Sequence, residues 1–175
     1  MNLKAHIRSI NDYPKKGLLF RDITTLIKNE TAFVKCVDEI VEMSKKFKFN
    51  KIAAIEARGF VFASAVSYVL RKPFILLRKK NKLPADTHSI DFKLEYGTAT
   101  MEVHKDSIEL DDSVLLIDDL IATGGTSEAA GKLVEISKGK VAGFVFVINL
   151  FDLGGCDKLI KKGYKVENLI EFPGH

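Results

Sequence analysis

The stretch Val114-Leu115-Leu116-Ile117-Asp118-Asp119-Leu120-Ile121-Ala122-Thr123-Gly124-Gly125-Thr126 decides how this chain folds. Its first four residues form an unbroken aliphatic run, the pattern of a strand covered on both faces. Two carboxylates follow at the carboxyl end of that strand, and a glycine turn then opens a helical pattern. The free backbone N–H groups and positive dipole end of such a helix can cradle a phosphate. Thr123 and Thr126 add hydroxyl donors there. Neither GxxxxGK[ST] nor GxGxxG occurs in the chain, so nucleotide hydrolysis and dinucleotide binding both lose support. Acidic groups beside a phosphate cradle would repel a phosphate, yet they suit the hydroxyls of a sugar attached to one. The pair and the cradle together point to a phosphoribose. Successive side chains on a strand face opposite ways; both carboxylates can serve one ligand only if the strand ends and turns at Asp118 and Asp119. The plain alternative, an acidic surface turn or a simple N-cap, does not account for the strand before and the Gly-Gly-Thr after.

Outward from this stretch, three more apolar runs read as strands: Lys51 to Ile55, Phe74 to Leu77 and Val141 to Ile148. Helical patterns lie between them. Phe33, Cys36, Val37, Ile40, Val41 and Ser44 share one face at 3.6 spacing, with Asn29 or Thr31 as N-cap. Phe60 to Leu70 is apolar nearly all round, which predicts a buried helix. Thr126 to Ser137 is amphipathic and ends near Gly139, and Lys158 to Lys162 before Gly163 gives a short last helix. Strands alternating with helices predict an α/β fold with an open, mostly parallel, doubly wound sheet and its ligand site outside the carboxyl ends of the strands. No linker or repeat divides residues 1–175, so one domain is expected. Residues 78–107 are the exception to the alternation: a basic start and a polar, partly alternating continuation predict a lid or a β-excursion.

Composition sets the outer limits. With 46% hydrophobic and 29% charged residues the chain is an ordinary globular one. Cys36 and Cys156 lack CxxC spacing and sit in apolar stretches, which predicts reduced thiols. Lys4, His6 and Arg8 break up the N-terminus and no apolar run approaches membrane length, so a cytoplasmic protein with no membrane partner is expected. A net charge of +4 suits an anionic substrate as well as nucleic acid. Lys45 to Lys51, interleaved with Phe47 and Phe49, reads as lysine stems covering two core rings. The basic cluster Arg78, Lys79, Lys80 and Lys82 could be a solvated face, but Pro84, Asp86 and Asp91 argue against a nucleic-acid stripe. The four histidines show no shared spacing that would make a protein metal site.

The stretch Val114 to Thr126 resembles the phosphoribosyl-diphosphate signature of the type I phosphoribosyltransferases. The chain is similar to the adenine-using branch of that family over nearly its whole length. The likeness is carried by Phe20-Arg21-Asp22-Ile23-Thr24, Glu56-Ala57-Arg58-Gly59-Phe60, Arg78-Lys79 with Lys82-Leu83-Pro84, and Leu94-Glu95-Tyr96-Gly97, then by Asn149 to Gly155 and the terminal Phe172-Pro173-Gly174-His175. The resemblance implies the type I fold, with a small N-terminal hood over residues 1–30 and residues 78–107 as a flexible β-excursion over the site. It implies magnesium-dependent formation of AMP and pyrophosphate from adenine and phosphoribosyl diphosphate by a homodimer, with no nucleic-acid partner.

Residue roles follow from the same likeness. Ala122, Thr123, Gly124, Gly125 and Thr126 would hold the 5′-phosphate, with Leu120 beside them. Asp118 and Asp119 would hold the ribose hydroxyls and favour an oxocarbenium ion. Arg58 and Gly59 belong to a pyrophosphate pocket over Glu56 to Gly59, and Lys82, with Arg78 and Lys79, would neutralise the same leaving group from this chain or a neighbouring subunit. Phe20 would stack on the base while backbone groups at Leu19 and Arg21 read its edge. Glu95 would relay the proton near N7, with Tyr96 next to it in the substrate-binding set. Mg2+ would arrive with substrate, reached through water by Asp118 or Asp119. Phe92 stands where relatives commonly carry Tyr. A different purine (hypoxanthine, guanine or xanthine) is the main alternative. A non-catalytic phosphoribosyl diphosphate sensor would need a DNA-binding domain for which the chain has no room.

Overall fold

The computed structural model describes residues 1–94 and 96–175, so the expectation for Glu95 lies outside the described residues. The chain opens with a one-turn helix, Leu3–His6, and a hairpin of β1 (Arg8–Asn11) and β2 (Leu19–Asp22). Two helices follow, α1 (Thr24–Ile27) and α2 (Glu30–Ser44). Then come β3 (Lys51–Ile55), α3 (Arg58–Leu70), β4 (Phe74–Lys79), β5 (Thr87–Leu94), β6 (Gly97–His104), β7 (Ser113–Ile121) and α4 (Gly125–Ile136). The chain ends through β8 (Lys140–Leu150), a short turn at Phe151–Leu153, α5 (Gly155–Lys161) and β9 (Val166–Phe172).

Seven strands form one sheet in the order β5-β6-β4-β3-β7-β8-β9. The five from β4 to β9 are parallel neighbours, and β6 and β5 add on antiparallel at one edge. That edge hairpin, paired from Thr87↔His104 to Leu94↔Gly97, is the expected β-excursion. Strand β9 is the other edge. Its Glu167, Asn168 and Glu171 break the apolar run that marks the buried strands, which is why the sequence pattern missed it.

The sheet is packed on both faces. One core cluster joins Ile40, Phe62, Val66, Leu115, Ile117 and Val147; the other joins Leu77, Val103, Leu116, Leu133, Phe144 and Phe146. Burying a ring such as Phe62 or Phe144 contributes roughly 1.5–3 kcal/mol each. Asn29 caps α2 by accepting from the Ala32 N–H at 2.9 Å, as its place before the apolar periodicity predicts. Cys36 and Cys156 are both free thiols, and Phe47 is buried beneath the end of α2.

Two expectations need correction. Helix α3 is not buried all round: Phe62, Ala63 and Val66 face the core, whereas Val61, Tyr68 and Val69 are exposed, Tyr68 by 84%. An outer-layer helix presents only one stripe to the sheet, and apolar residues beyond that stripe stay outside. Nor does β7 end at the acidic pair. It continues to Ile121, paired with Asn149 of β8, whereas its pairing with β3 stops at Ala54↔Ile117. Asp118 and Asp119 therefore project past the end of β3, and this step in the sheet edge does the work that a turn was expected to do.

Candidate active site

The step at the carboxyl end of the sheet is the floor of a cavity of about 250 Å³. One wall is the loop from Ile55 to Arg58, and the other runs from Asp118 to Ser127. The N-termini of α3 and α4 both open onto this space, so free N–H groups and positive dipole ends converge on it. Local chemistry explains the shape. Gly124 takes a left-handed φ of 84°, and a Cβ there would come within 3.0 Å of the Gly155 backbone, so the turn requires glycine. From behind, the Gly155 N–H donates to the Ala122 carbonyl at 3.1 Å and fixes the turn. At Gly59 an added Cβ would stand 2.7 Å from Asp118 Oδ1, so a bare backbone is what lets α3 start against the carboxylate.

Charge is arranged unevenly. Asp119 Oδ2 pairs with Arg58 Nε at 2.8 Å, and Asp118 Oδ1 accepts from the Asp119 N–H at 2.9 Å. Burial pushes the Asp118 carboxyl well above the usual carboxylate range, and the neighbouring Asp119 charge pushes it further. Burial raises Asp119 too, against the pull of Arg58. Glu56 is also pressed upward by burial, but the Lys79 N–H at 2.5 Å and the Arg78 guanidinium at 3.4 Å outweigh that and hold it below its ordinary value. Among the described residues no three His, Cys, Asp or Glu side chains are grouped to hold a metal by themselves.

Of the residues singled out from sequence, the cavity brings together Arg58, Asp118, Asp119, Leu120, Ala122, Thr123, Gly124, Gly125 and Thr126, with Gly59 packed beneath. Phe20 stands at its edge, its ring 5.7 Å from the Arg58 guanidinium and 5.1 Å from the Tyr13 ring; Leu19 is half-buried beside it. The Arg21 side chain turns away to Ser9 and Pro173, which leaves its backbone for any contact with a ligand. Arg78 is spent on Glu56 and the Lys82 carbonyl, and the ammonium groups of Lys79 and Lys82 are exposed outside the cavity. Tyr96 is 75% exposed, with the Lys15 ammonium 4.2 Å above its ring, so the hood loop and the hairpin tip touch. Sequence reasoning missed Lys15, Ser127 and the clamp from Glu56 to the end of β4. For Glu56 the signal was available in its place at a strand end beside two basic residues of the next strand.

Comparison with known proteins agrees with this geometry. Residues 24–173 match the family described as phosphoribosyl transferase domain. The chain belongs to the phosphoribosyltransferase family. Adenine phosphoribosyltransferase of Pelagibacter ubique is 75% identical over 175 residues, covering 100% of both chains. The crystal structure of adenine phosphoribosyltransferase from Thermoanaerobacter pseudethanolicus superposes with a TM-score of 0.93 at 44% identity, over 97% of this chain and 98% of the other. The Saccharomyces cerevisiae enzyme, solved with an imino-altritol bisphosphate and adenine, gives a TM-score of 0.88 at 32% identity over 96% of each. The mostly parallel seven-stranded sheet flanked by helices is the type I phosphoribosyltransferase fold.

Proposed function

We propose that this phosphoribosyltransferase moves the 5-phosphoribosyl group of phosphoribosyl diphosphate onto adenine, giving AMP and pyrophosphate. The observation that carries this reading is the union, in one cavity, of the Asp118–Asp119 pair with the turn that opens α4. The choice of adenine rests on relatives named for that base that match the chain end to end.

In this reaction the bond from ribose C1 to the pyrophosphate oxygen breaks, the bond from C1 to adenine N9 forms, and the N9 proton leaves. The 5′-phosphate suits the N–H groups of Ala122 to Thr126 and the hydroxyls of Thr123 and Thr126. Asp118 and Asp119 suit the ribose hydroxyls, and their negative charge favours the cationic ribose that develops as pyrophosphate departs. Arg58 would exchange Asp119 for the pyrophosphate oxygens, joined by the exposed Lys79 and Lys82 of this chain or of a second copy. Leu19, Phe20 and the Arg21 backbone would hold the base, Tyr96 would close over it, and Glu95 would take up its proton.

Magnesium fits the donor set as a companion of the substrate: of the three carboxylates that line the cavity, Asp119 is engaged by Arg58 and Glu56 by Arg78 and the Lys79 N–H, and among the described residues no three such groups are placed to hold a metal by themselves. It would neutralise charge on the leaving pyrophosphate, with Asp118 or Asp119 reaching it through water. A homodimer would cover the exposed Val61, Tyr68 and Val69 of α3. No described helix is long and apolar enough to cross a membrane, and two free cysteines accord with action in the cytoplasm. The test is direct: the purified chain given adenine, phosphoribosyl diphosphate and magnesium should form AMP and pyrophosphate in equal amounts. Failure to form AMP would overturn the assignment.

A further inference from the structure

The hairpin β1–β2 carries the residues assigned to the base, yet it pairs with no strand of the main sheet. Its own hydrogen bonds are local, running from Arg8 to Asp22 and Thr25 and from Gly17 to Asp12. Among the described residues a single hydrogen bond ties it to the chain beyond residue 25, from Arg21 Nη2 to the Pro173 carbonyl at 3.2 Å. The same guanidinium lies 4.3 Å over the ring of Phe172, and Lys4 lies 4.6 Å from that ring.

The tail that receives this bond is itself fixed on its other side. The Gly174 N–H donates to Asp152 Oδ1 at 2.5 Å. A Cβ on Gly174 would stand 2.6 Å from Leu153 Cγ and 2.9 Å from Asp152 Oδ1, so the tail can lie this close only as glycine. Two residues further along the turn that holds Asp152 and Leu153 is Gly155, whose N–H holds the Ala122 carbonyl. A continuous path therefore runs from β2 through Pro173 and Gly174 to Asp152, and from there to the turn that cradles the phosphate.

We propose that Pro173-Gly174 is a positioning strap that sets the distance between the base-holding hairpin and the phosphate turn. This rests on the proposed function, since it assumes that the base meets β2 and the 5′-phosphate meets residues 122–126. Transfer needs N9 and C1 in near-attack geometry, and one ligand is held at each end of the strap. The hairpin also meets Arg58 through the Phe20 ring and Tyr96 through Lys15, but the Arg21 bond is its one hydrogen bond beyond residue 25 among the described residues, so the base site depends on that tie far more than the phosphate turn, which is built into β7 and α4.

The experiment compares the full-length chain with Gly174→Ala and, independently, Asp152→Ala. Gly174→Ala drives the tail off Leu153, whereas Asp152→Ala removes the acceptor and adds no bulk. Each variant is expected to raise KM for adenine about tenfold or more while KM for phosphoribosyl diphosphate stays within about twofold, the split that a misplaced base site produces. Equal rises in both KM values, or no rise in either, would overturn the strap. If the unaltered chain prefers another purine, the comparison is made with that purine; adenine specificity then fails on its own, and the strap still stands or falls on the split.

Discussion

Replacing Gly59 by Ala probes the carboxylate at the floor of the cavity without touching its charge. The new methyl would sit 2.7 Å from Asp118 Oδ1, 3.3 Å from the Ile117 carbonyl and 3.5 Å from the Ala54 Cβ. An ordinary contact starts near 3.4 Å, so the carboxylate is crowded by about 0.7 Å and the backbone carbonyl hardly at all. Ile117 is locked between β3 and β8, so Asp118 yields. A displacement approaching 1 Å at a reacting centre costs on the order of 10²-fold, which sets the expected loss of kcat at about 10–100-fold. Overpacking costs about 1–3 kcal/mol, but Ala in place of Gly in the first turn of α3 returns up to about 1 kcal/mol of helix propensity. The melting temperature should therefore fall by only a few degrees, and activity is the decisive reading. The assay is steady-state AMP formation with both substrates varied, alongside a thermal melt. A kcat within about threefold of the unaltered chain would refute the role given to Asp118.

Three other substitutions follow from the site. Arg58→Ala should weaken phosphoribosyl diphosphate binding much more than AMP binding, measured by calorimetry, because AMP lacks the pyrophosphate; equal losses would make Arg58 a structural partner of Asp119. Asp118→Asn should nearly abolish turnover yet melt higher than the unaltered chain at neutral pH. The Asp118 pKa is raised on folding, so the stability linked to its proton is present below the ordinary carboxylate pKa and lost as pH rises through the folded value. The melting gap should then widen as pH rises above the ordinary carboxylate range, and a gap that narrows would contradict the burial argument. Glu95→Gln should preserve phosphoribosyl diphosphate affinity and lower kcat by about 10²–10⁴, the range for losing a positioned acid or base; a loss under about threefold leaves it without a catalytic role.

What was legible in the sequence follows from how strongly each element depends on its own residues. The strands β3, β7 and β8 are covered on both faces, so their aliphatic runs stand out; β4 keeps such a run although its Leu76 is exposed, and α2 announces its start through Asn29. The edge strand β9 and the four-residue strands of the hood bury too little to leave a pattern. The carboxylate pair and glycine turn were readable because phosphate chemistry demands those residue types in that order. How both carboxylates reach one cavity was not, because it depends on β3 ending at a register set by a partner strand. The exposure of Tyr68 and the capture of Arg78 by Glu56 were hidden for the same reason: each is decided by a neighbour remote in sequence. The roles of Phe20, Tyr96 and Lys82 came from family likeness alone, and none of the three lines the cavity.

Transfer of phosphoribose to adenine at the end of β7 is what sets this chain apart from a transferase for another purine. The measurement that tests it most directly is nucleotide formation from phosphoribosyl diphosphate and magnesium with adenine, hypoxanthine, guanine and xanthine supplied in parallel. AMP should form rapidly, with little or no product from the three oxopurines. Comparable or faster formation of IMP, GMP or XMP would contradict the assignment to adenine.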